Sequence, residues 1–196
     1  MPKLKPLIKF VLFALGLMVA VLIVVPPILQ PQGLTPGTED GASIRVYGAN
    51  VWGFRGYFAI HTWIATRDID ETQYTIHQVI GWRLRRTGTA LTRHEGNPDD
   101  PWFGNEALLL HEVSGAQAET LVPSVRAAID SYPFATRYTM FPGPNSNSFT
   151  EWVAQEVPEL ELALPTKAIG RLWMRNYHLR QNTQSRQKSE TRMFAD

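Results

Sequence analysis

The segment whose residue types are best suited to catalysis spans residues 138–153 and reads YTMFPGPNSNSFTEWV. Its Pro, Gly and Asn residues indicate a tight turn that leads directly into a helix, so small hydroxyl side chains lie at the helix N-terminus. Free backbone N–H groups and the helix dipole stabilise negative charge there, which favours an assisted nucleophile and an oxyanion. Ser146 is therefore the candidate nucleophile.

A structural interpretation competes for the same segment. Ser148 and Glu151 have the spacing of a capping box, and Asn145 or Asn147 suits a tight turn. Because caps are far more common than nucleophiles, Ser148 is interpreted as a cap. Ser146 is not needed by the capping box, so both the structural and the catalytic interpretation stay open for it.

Histidine supplies the candidate general base. His61 interrupts the apolar stretch from Phe58 to Ile64, and a polar ring there costs free energy unless it is bonded. It is therefore either a hydrogen-bonded core residue or a base. His77 lies in the next predicted strand beside Gln78, and the register decides which of these two accompanies His61. The histidines lack metal-ligand spacing, and no metal or other cofactor is predicted.

A small α+β domain is predicted to position these residues, with an antiparallel sheet packed with two or three helices. Segments rich in β-branched and aromatic residues predict strands over 43–47, 57–66, 74–82 and 107–113. Apolar residues at three-to-four-residue spacing predict helices over 116–132 and 149–156. The rest is predicted to be mostly loop over 83–100 and a short extended run over 137–141.

The N-terminal part of the chain predicts a membrane anchor. Residues 10–29 carry no charge and, at about 1.5 Å per residue, would span a hydrocarbon core of ~30 Å. Three lysines lie in residues 1–9 and the next charge comes only at Glu39, so the N-terminus is predicted to be cytoplasmic. A cleaved signal peptide is the alternative, but the run is longer than a usual signal core.

The remaining organisation follows from composition. Residues 30–42 are rich in Pro and Gly and predict a spacer, residues 43–170 the globular domain, and residues 171–196 a polar basic tail. The formal net charge of +1, without a basic stripe in the domain, excludes a nucleic-acid partner. The absence of cysteine excludes disulfides, thiolate metal sites and a Cys nucleophile.

Two family resemblances rest on these motifs. HTWIA at 61–65, VIGW at 79–82 and RYTMFPGPNSNSFTEWV at 137–153 resemble the bacterial "domain of unknown function 3750" family, over roughly residues 44–170. A more distant resemblance is to circularly permuted papain-like domains, such as the lecithin retinol acyltransferase-like proteins. In those domains a His on an early strand precedes a polar residue on the next strand and an Asn-Cys-x-x-Phe element that begins the nucleophile helix.

This chain shows a similar order of residues. The resemblance implies that His61 corresponds to the first His, that His77 or Gln78 corresponds to the second polar residue, and that Ser146 stands where the Cys would be. Because a Ser hydroxyl is un-ionised at neutral pH, Ser146 would need His61 as a general base.

The resemblance implies a membrane-anchored hydrolase or acyltransferase of the bacterial envelope. Its substrates would be peptidoglycan peptides or lipid acyl groups, and its domain would lie in the periplasm, tethered to inner-membrane lipid by residues 10–29. The binding residues would be Tyr138, Gln78, Asn145, Asn147 and Ser148. The alternative is a non-catalytic binding or scaffold protein that uses a relic papain-like pocket.

Overall fold

A computed structural model describes residues 9–15, 33–35 and 41–193 of the chain, with side chains of the last helix described to residue 188. Residues 9–15 are helical with exposed side chains. In these described ranges, no helix combines the length and apolar character needed to cross a bilayer. The predicted anchor over 10–29 lies outside the described residues from residue 16 onward.

A five-stranded antiparallel sheet forms the centre of the fold, with strand order β4-β3-β2-β1-β5. The strands are β1 Ser43–Asn50, β2 Ile60–Arg67, β3 Tyr74–Val79, β4 Leu91–Gly96 and β5 Leu108–Ser114. The longer helices are α1 Gly115–Asp130, α2 Ser146–Glu156 and α3 Arg171–Met193, and a four-residue helix spans Leu84–Thr87 between β3 and β4. This confirms the predicted α+β fold with an antiparallel sheet.

The two faces of the sheet are covered differently, because alternate side chains of each strand point to opposite sides. On the helix-covered face, α1 and α2 pack on the sheet and enclose the larger core, which includes Ile44, Val46 and Ile64. On the loop-covered face, the connection from β4 to β5, called the crossing loop (residues 97–107), runs over a smaller cluster around Tyr47 and Trp63.

The last helix belongs to the packed structure at its beginning. Met174 is fully buried in the larger core, and the Arg175 guanidinium bonds the buried carboxylate of Glu151 on α2 at 2.5 Å. The segment predicted to be a polar tail over residues 171–196 is thus helical to Met193, and its first turns pack against α2.

One local prediction is wrong. Residues 83–100 are not mostly loop, because the helix Leu84–Thr87 and the strand β4 lie within them. The strand β4 pairs with β3, and its sequence LTRHEG lacks apolar alternation because half of this edge strand is exposed.

Residues 137–141 pair with no strand of the sheet. There the amide of Thr139 donates to the carbonyl of Pro144 at 2.7 Å, which closes the turn before α2.

Candidate functional site

The N-terminus of α2 is capped by Asn145. Its side-chain oxygen accepts hydrogen bonds from the backbone amides of Asn147 at 3.0 Å and Ser148 at 3.1 Å. Its side-chain nitrogen donates to the carbonyls of Met140 at 2.9 Å and Ile169 at 3.0 Å. Two of the otherwise free N–H groups of the helix are therefore satisfied within the protein, and the helix begins at Ser146.

The predicted capping box is wrong. Ser148 lies inside the first turn of α2, and its hydroxyl donates to the carbonyl of Gly170 at 3.0 Å. Glu151 does not reach back to a cap, because its carboxylate is paired with Arg175. The physical reason is that Asn145 takes the cap position three residues earlier, so the helix starts earlier than predicted.

Asn147 fastens the start of α2 to the start of β2. Its amide nitrogen donates to the carbonyls of Ile60 at 2.9 Å and Ile169 at 2.8 Å. Its amide oxygen accepts from the Thr62 hydroxyl at 3.0 Å, and Thr62 also contacts the Thr150 hydroxyl at 2.8 Å. All of these side chains are buried, so the segment acts as a clamp between helix and sheet.

Ser146 is the member of this segment whose side chain the clamp does not use. Its carbonyl accepts from the hydroxyls of Thr62 at 3.5 Å and Thr150 at 3.3 Å. Its own hydroxyl makes no hydrogen bond within the described residues, and the residue is 5% exposed. The β2 side chain that faces the start of α2 is therefore Thr62, whose hydroxyl is not a base at neutral pH.

His61 points to the loop-covered face. Its Nε2 atom is 3.0 Å from the side-chain oxygen of Gln78, and its ring stacks on Trp102 with centroids 3.8 Å apart. Burial lowers the pKa of His61 to about 4, although the Gln78 hydrogen bond raises it, so the ring is neutral at pH 7. The structure thus brings His61 together with Gln78, and their hydrogen bond does not involve Ser146.

His77 occupies the helix-covered face. It pairs with Ile64 in the β2–β3 register, and its Nε2 atom is 3.1 Å from the Thr66 hydroxyl. Burial, together with the nearby guanidinium groups of Arg93 and Arg126, lowers the pKa of His77 to about 4. The register therefore answers the question that the sequence left open, because Gln78 and not His77 accompanies His61.

Tyr138, a predicted binding residue, packs against the segment that follows β3. Its ring lies directly over Gly81, where an added Cβ would fall 2.5 Å from the ring carbons. Burial raises the pKa of its hydroxyl. Its place beside Gly81 makes Tyr138 a packing partner of the segment after β3.

A pocket on the loop-covered face was missed by the sequence analysis. It has a volume of about 320 Å³ and lies between the crossing loop, β1, β5 and the segment at residues 33–34. Its lining residues are Gly33, Leu34, Tyr47, Asp99, Glu106, Ala107, Leu108 and Leu109. The crossing loop gave no sequence signal for a site, because its three acids, Asp99, Asp100 and Glu106, lie in a polar loop, where acids usually remain solvated.

Tyr47 is the most informative residue of this pocket. It is 1% exposed, and its hydroxyl has no hydrogen-bond partner of good geometry within the described residues, although the Asp99 side chain lies close enough to interact with it. Burial raises the pKa of Tyr47, the Asp99 carboxylate raises it further, and Arg45 acts in the opposite direction. A buried hydroxyl without a partner costs free energy, so a group that enters the pocket and bonds it would be stabilised.

The described part of the chain contains no group of three or more His, Cys, Asp or Glu side chains that could hold a metal ion. Residues 41–173 match the family model described as "Protein of unknown function (DUF3750)". Neither a curated protein nor a solved structure matches the chain. The matched range contains the whole sheet, α1, α2 and the first residues of α3.

Proposed function

The chain belongs to the DUF3750 family, and we propose that it is a membrane-tethered binding protein of the bacterial envelope rather than a Ser–His hydrolase. The observation that carries the proposal is the buried, unpartnered hydroxyl of Tyr47 in a pocket that also presents Asp99 and Glu106. These three groups favour a ligand that donates hydrogen bonds and carries positive charge.

The geometry at α2 argues against the catalytic alternative. A serine nucleophile needs a base within hydrogen-bond reach, about 2.6–3.2 Å, in the reactive complex. His61 and Thr62 are neighbours on β2 and therefore point to opposite faces, and it is Thr62 that contacts the start of α2. His61 is held on the other face by Gln78 and Trp102.

A primary ammonium group fits the chemistry of the pocket. It offers three donors and no acceptor, which matches one hydroxyl oxygen and two carboxylates. Asp99 and Glu106 are on the solvent side of the pocket, whereas Tyr47 lies at its buried end. A charge-assisted bond to the Tyr47 oxygen would replace the hydrogen bond that this buried group lacks.

The position of the pocket relative to the proposed tether indicates where its ligand would come from. Leu34, one wall of the pocket, follows the apolar run 10–29 by five residues. The pocket would then lie close to the outer surface of the inner membrane. Amine-bearing peptidoglycan peptides and ethanolamine lipid headgroups share the ammonium chemistry there, and we favour the peptide because the pocket opens beside an exposed loop.

Calorimetric titration of the full chain in lipid nanodiscs tests the binding proposal. The probe is Nα-acetyl-lysine methylamide, and its Nε-acetylated form, which has lost the charge, is the matched control. We expect the charged probe to bind and the control not to bind. Tyr47→Phe and Asp99→Asn should each weaken binding about tenfold. Asp100→Asn, an exposed acid outside the pocket lining, should bind like wild type.

The ligand source and the catalytic alternative have separate controls. Competition by phosphoethanolamine in the same titration would assign the site to the lipid headgroup and not to the peptide. A serine-directed fluorophosphonate should not label the wild-type chain. Labelling that disappears in Ser146→Ala would restore the hydrolase hypothesis. Equal binding of the charged and acetylated probes would refute the ammonium site.

A further inference from the structure

We infer that one end of the sheet is a membrane-contact surface that seats the domain on an anionic bilayer; this rests on the tether of the proposed function but not on its pocket. The surface, called the aromatic end, is defined by exposed apolar side chains from the loops at that end: Trp52, Phe54, Tyr57, Phe58, Trp82, Phe103, Met140 and Phe141.

The strand register places these loops together. Asn50 at the end of β1 pairs with Ile60 at the start of β2, and Val79 at the end of β3 pairs with Leu91 at the start of β4. Because β2 and β3 are antiparallel neighbours, the loops that follow β1 and β3 leave the sheet at the same end.

Side-chain contacts join the remaining loops to this end. The Phe103 ring of the crossing loop lies 5.5 Å from the Trp82 ring, edge to face. The Arg55 guanidinium, from the loop after β1, lies 3.7 Å from the sulfur of Met140, in the loop before α2. Four segments that are distant in sequence therefore contribute to one surface.

The exposure of these side chains is unusual for a water-facing surface. Phe54 is 73% exposed, Phe141 is 74% exposed and Trp82 is 52% exposed. Single exposed apolar residues are common in soluble proteins, but a contiguous group of large ones marks an interaction surface. Aromatic residues, Trp and Tyr above all, are enriched where proteins meet the headgroup layer of a bilayer.

The charge of the aromatic end favours an anionic partner. Its four loops carry five arginines against three acids. Arg55, Arg83, Arg85, Arg86 and Arg137 lie in residues 51–59, 80–90 and 137–145, which contain no Asp or Glu, whereas Asp99, Asp100 and Glu106 lie in the crossing loop. The hairpin between β2 and β3, at the opposite end, carries Asp68, Asp70 and Glu71 instead. Exposed arginines beside aromatic rings bind anionic headgroups while the rings enter the interface.

The place where the chain joins the folded domain, at Leu34, favours an orientation with the aromatic end toward the membrane. The amide of Leu34 donates to the carbonyl of Leu109 at 2.6 Å, and Leu109 pairs with Tyr47 in the half of β1 nearer the aromatic end. Leu34 follows the last residue of the proposed span 10–29 by five positions, which is about 18 Å of fully extended chain. The aromatic end can therefore reach the bilayer without any other linker.

A depth-dependent fluorescence experiment tests this surface, and the absence of native cysteine gives it a clean background. The full chain, carrying one of Phe54→Cys, Trp82→Cys or Phe141→Cys, is labelled with the fluorophore NBD and reconstituted in vesicles of phosphatidylethanolamine and phosphatidylglycerol. Ile69→Cys, in the opposite hairpin and 54% exposed, is the matched control. Nitroxide-bearing lipids act as quenchers from within the bilayer.

We expect lipid quenching at the aromatic-end positions to exceed that at position 69 by about twofold or more. It should fall when phosphatidylglycerol is replaced by a neutral lipid, or when Arg83, Arg85 and Arg86 are changed to Gln. Equal quenching at both ends would overturn the inference. So would probes at the aromatic end that are shielded from aqueous iodide but not quenched by lipid, since that indicates a protein partner.

Alkaline extraction of the same vesicles tests separately whether the chain is anchored in the bilayer through residues 10–29. A chain that remains with the vesicles but shows no difference between the two ends overturns the membrane-contact surface and leaves the tether intact. A chain that is extracted overturns the tether. In that case the labelled chain is added to preformed vesicles, and an unchanged NBD signal at the aromatic end overturns the surface as well.

Discussion

The two faces of the sheet differ in how the buried polar side chains near α2 and near the pocket are hydrogen-bonded. On the helix-covered face, Thr62, Asn147 and Thr150 satisfy one another, so their buried polar groups are used up in fastening α2 to β2. On the loop-covered face, the Tyr47 hydroxyl stays unpartnered beside a pocket. Buried polar atoms without a hydrogen-bond partner occur on both faces, and they include His77 Nδ1 and the Tyr132 hydroxyl on the helix-covered face. Among the described residues, the Tyr47 hydroxyl differs from these because Tyr47 also lines the pocket, where a ligand could reach it.

The largest effect on stability is expected for Asn147→Ala. The change removes three buried hydrogen bonds, which deprives the Ile60 carbonyl and the Thr62 hydroxyl of the Asn147 side chain; the Ile169 carbonyl keeps the donor from Asn145. We expect the free energy of unfolding to fall by about 3–5 kcal/mol, measured by urea denaturation. Ser146→Ala, one residue away, should change it by about 0.5 kcal/mol or less. Similar losses in both variants would refute the clamp.

Trp102→Ala should have the next largest effect. Its ring covers His61 on the loop-covered face and is itself partly buried, so we expect a loss of about 2–3 kcal/mol of unfolding free energy. Water then reaches His61, and its pKa should rise from about 4 toward the ordinary value for histidine. An NMR titration of the ring measures this, and an unchanged pKa would contradict the proposed shielding.

The buried histidines predict a pH dependence. Burial lowers the pKa values of His61 and His77 to about 4 in the folded protein, below their unfolded value of about 6.5. Their contribution is therefore fully present above pH 6.5 and is lost as the pH falls toward 4. We expect about 3 kcal/mol less unfolding free energy at pH 5.5 than at pH 7.5 from the two groups together.

The variants His61→Gln and His77→Gln should each remove about half of that pH dependence, one from either face of the sheet. Urea denaturation at several pH values provides the measurement. A slope between pH 7.5 and pH 5.5 that persists in the double variant would assign the effect to other groups.

The smallest expected effect on stability is that of Tyr47→Phe. Because the hydroxyl has no hydrogen-bond partner within the described residues, its removal should change the unfolding free energy by less than about 0.5 kcal/mol. The same variant should weaken ammonium binding, so stability and binding separate at this position. A loss of more than about 1 kcal/mol would mean that the hydroxyl is already bonded in the unliganded protein.

Much of the fold was predictable from local patterns. Alternating and helical periodicity gave the antiparallel sheet and α1, and the Pro-Gly-Asn turn gave a helix immediately after it. The edge strand β4 could not be predicted in this way, because half of it is exposed and its residues lack apolar alternation. The capping residue was missed because Asn145 and Ser148 both have the chemistry of a cap, and only the tertiary bonds decide between them.

The candidate site was harder to predict, because it depends on which face each residue of a strand occupies. His61 and Thr62 are adjacent, and a shift of one residue exchanges their faces. The order of residues in the sequence placed His61 before Ser146 at a helix N-terminus, but this order does not determine which face of the sheet the His61 side chain occupies. The Tyr47 pocket depends on how the crossing loop folds over the sheet, which residues distant in sequence determine.

The central claim is that ligands bind on the loop-covered face and not at the start of α2. Chemical-shift mapping of the full, ¹⁵N-labelled chain in nanodiscs with Nα-acetyl-lysine methylamide tests it most directly. We expect concentration-dependent shifts at Tyr47, Asp99 and Leu108, with Ser146 and Asn147 unchanged. Shifts confined to Ser146 and Asn147 would contradict it and would return the function to the helix N-terminus.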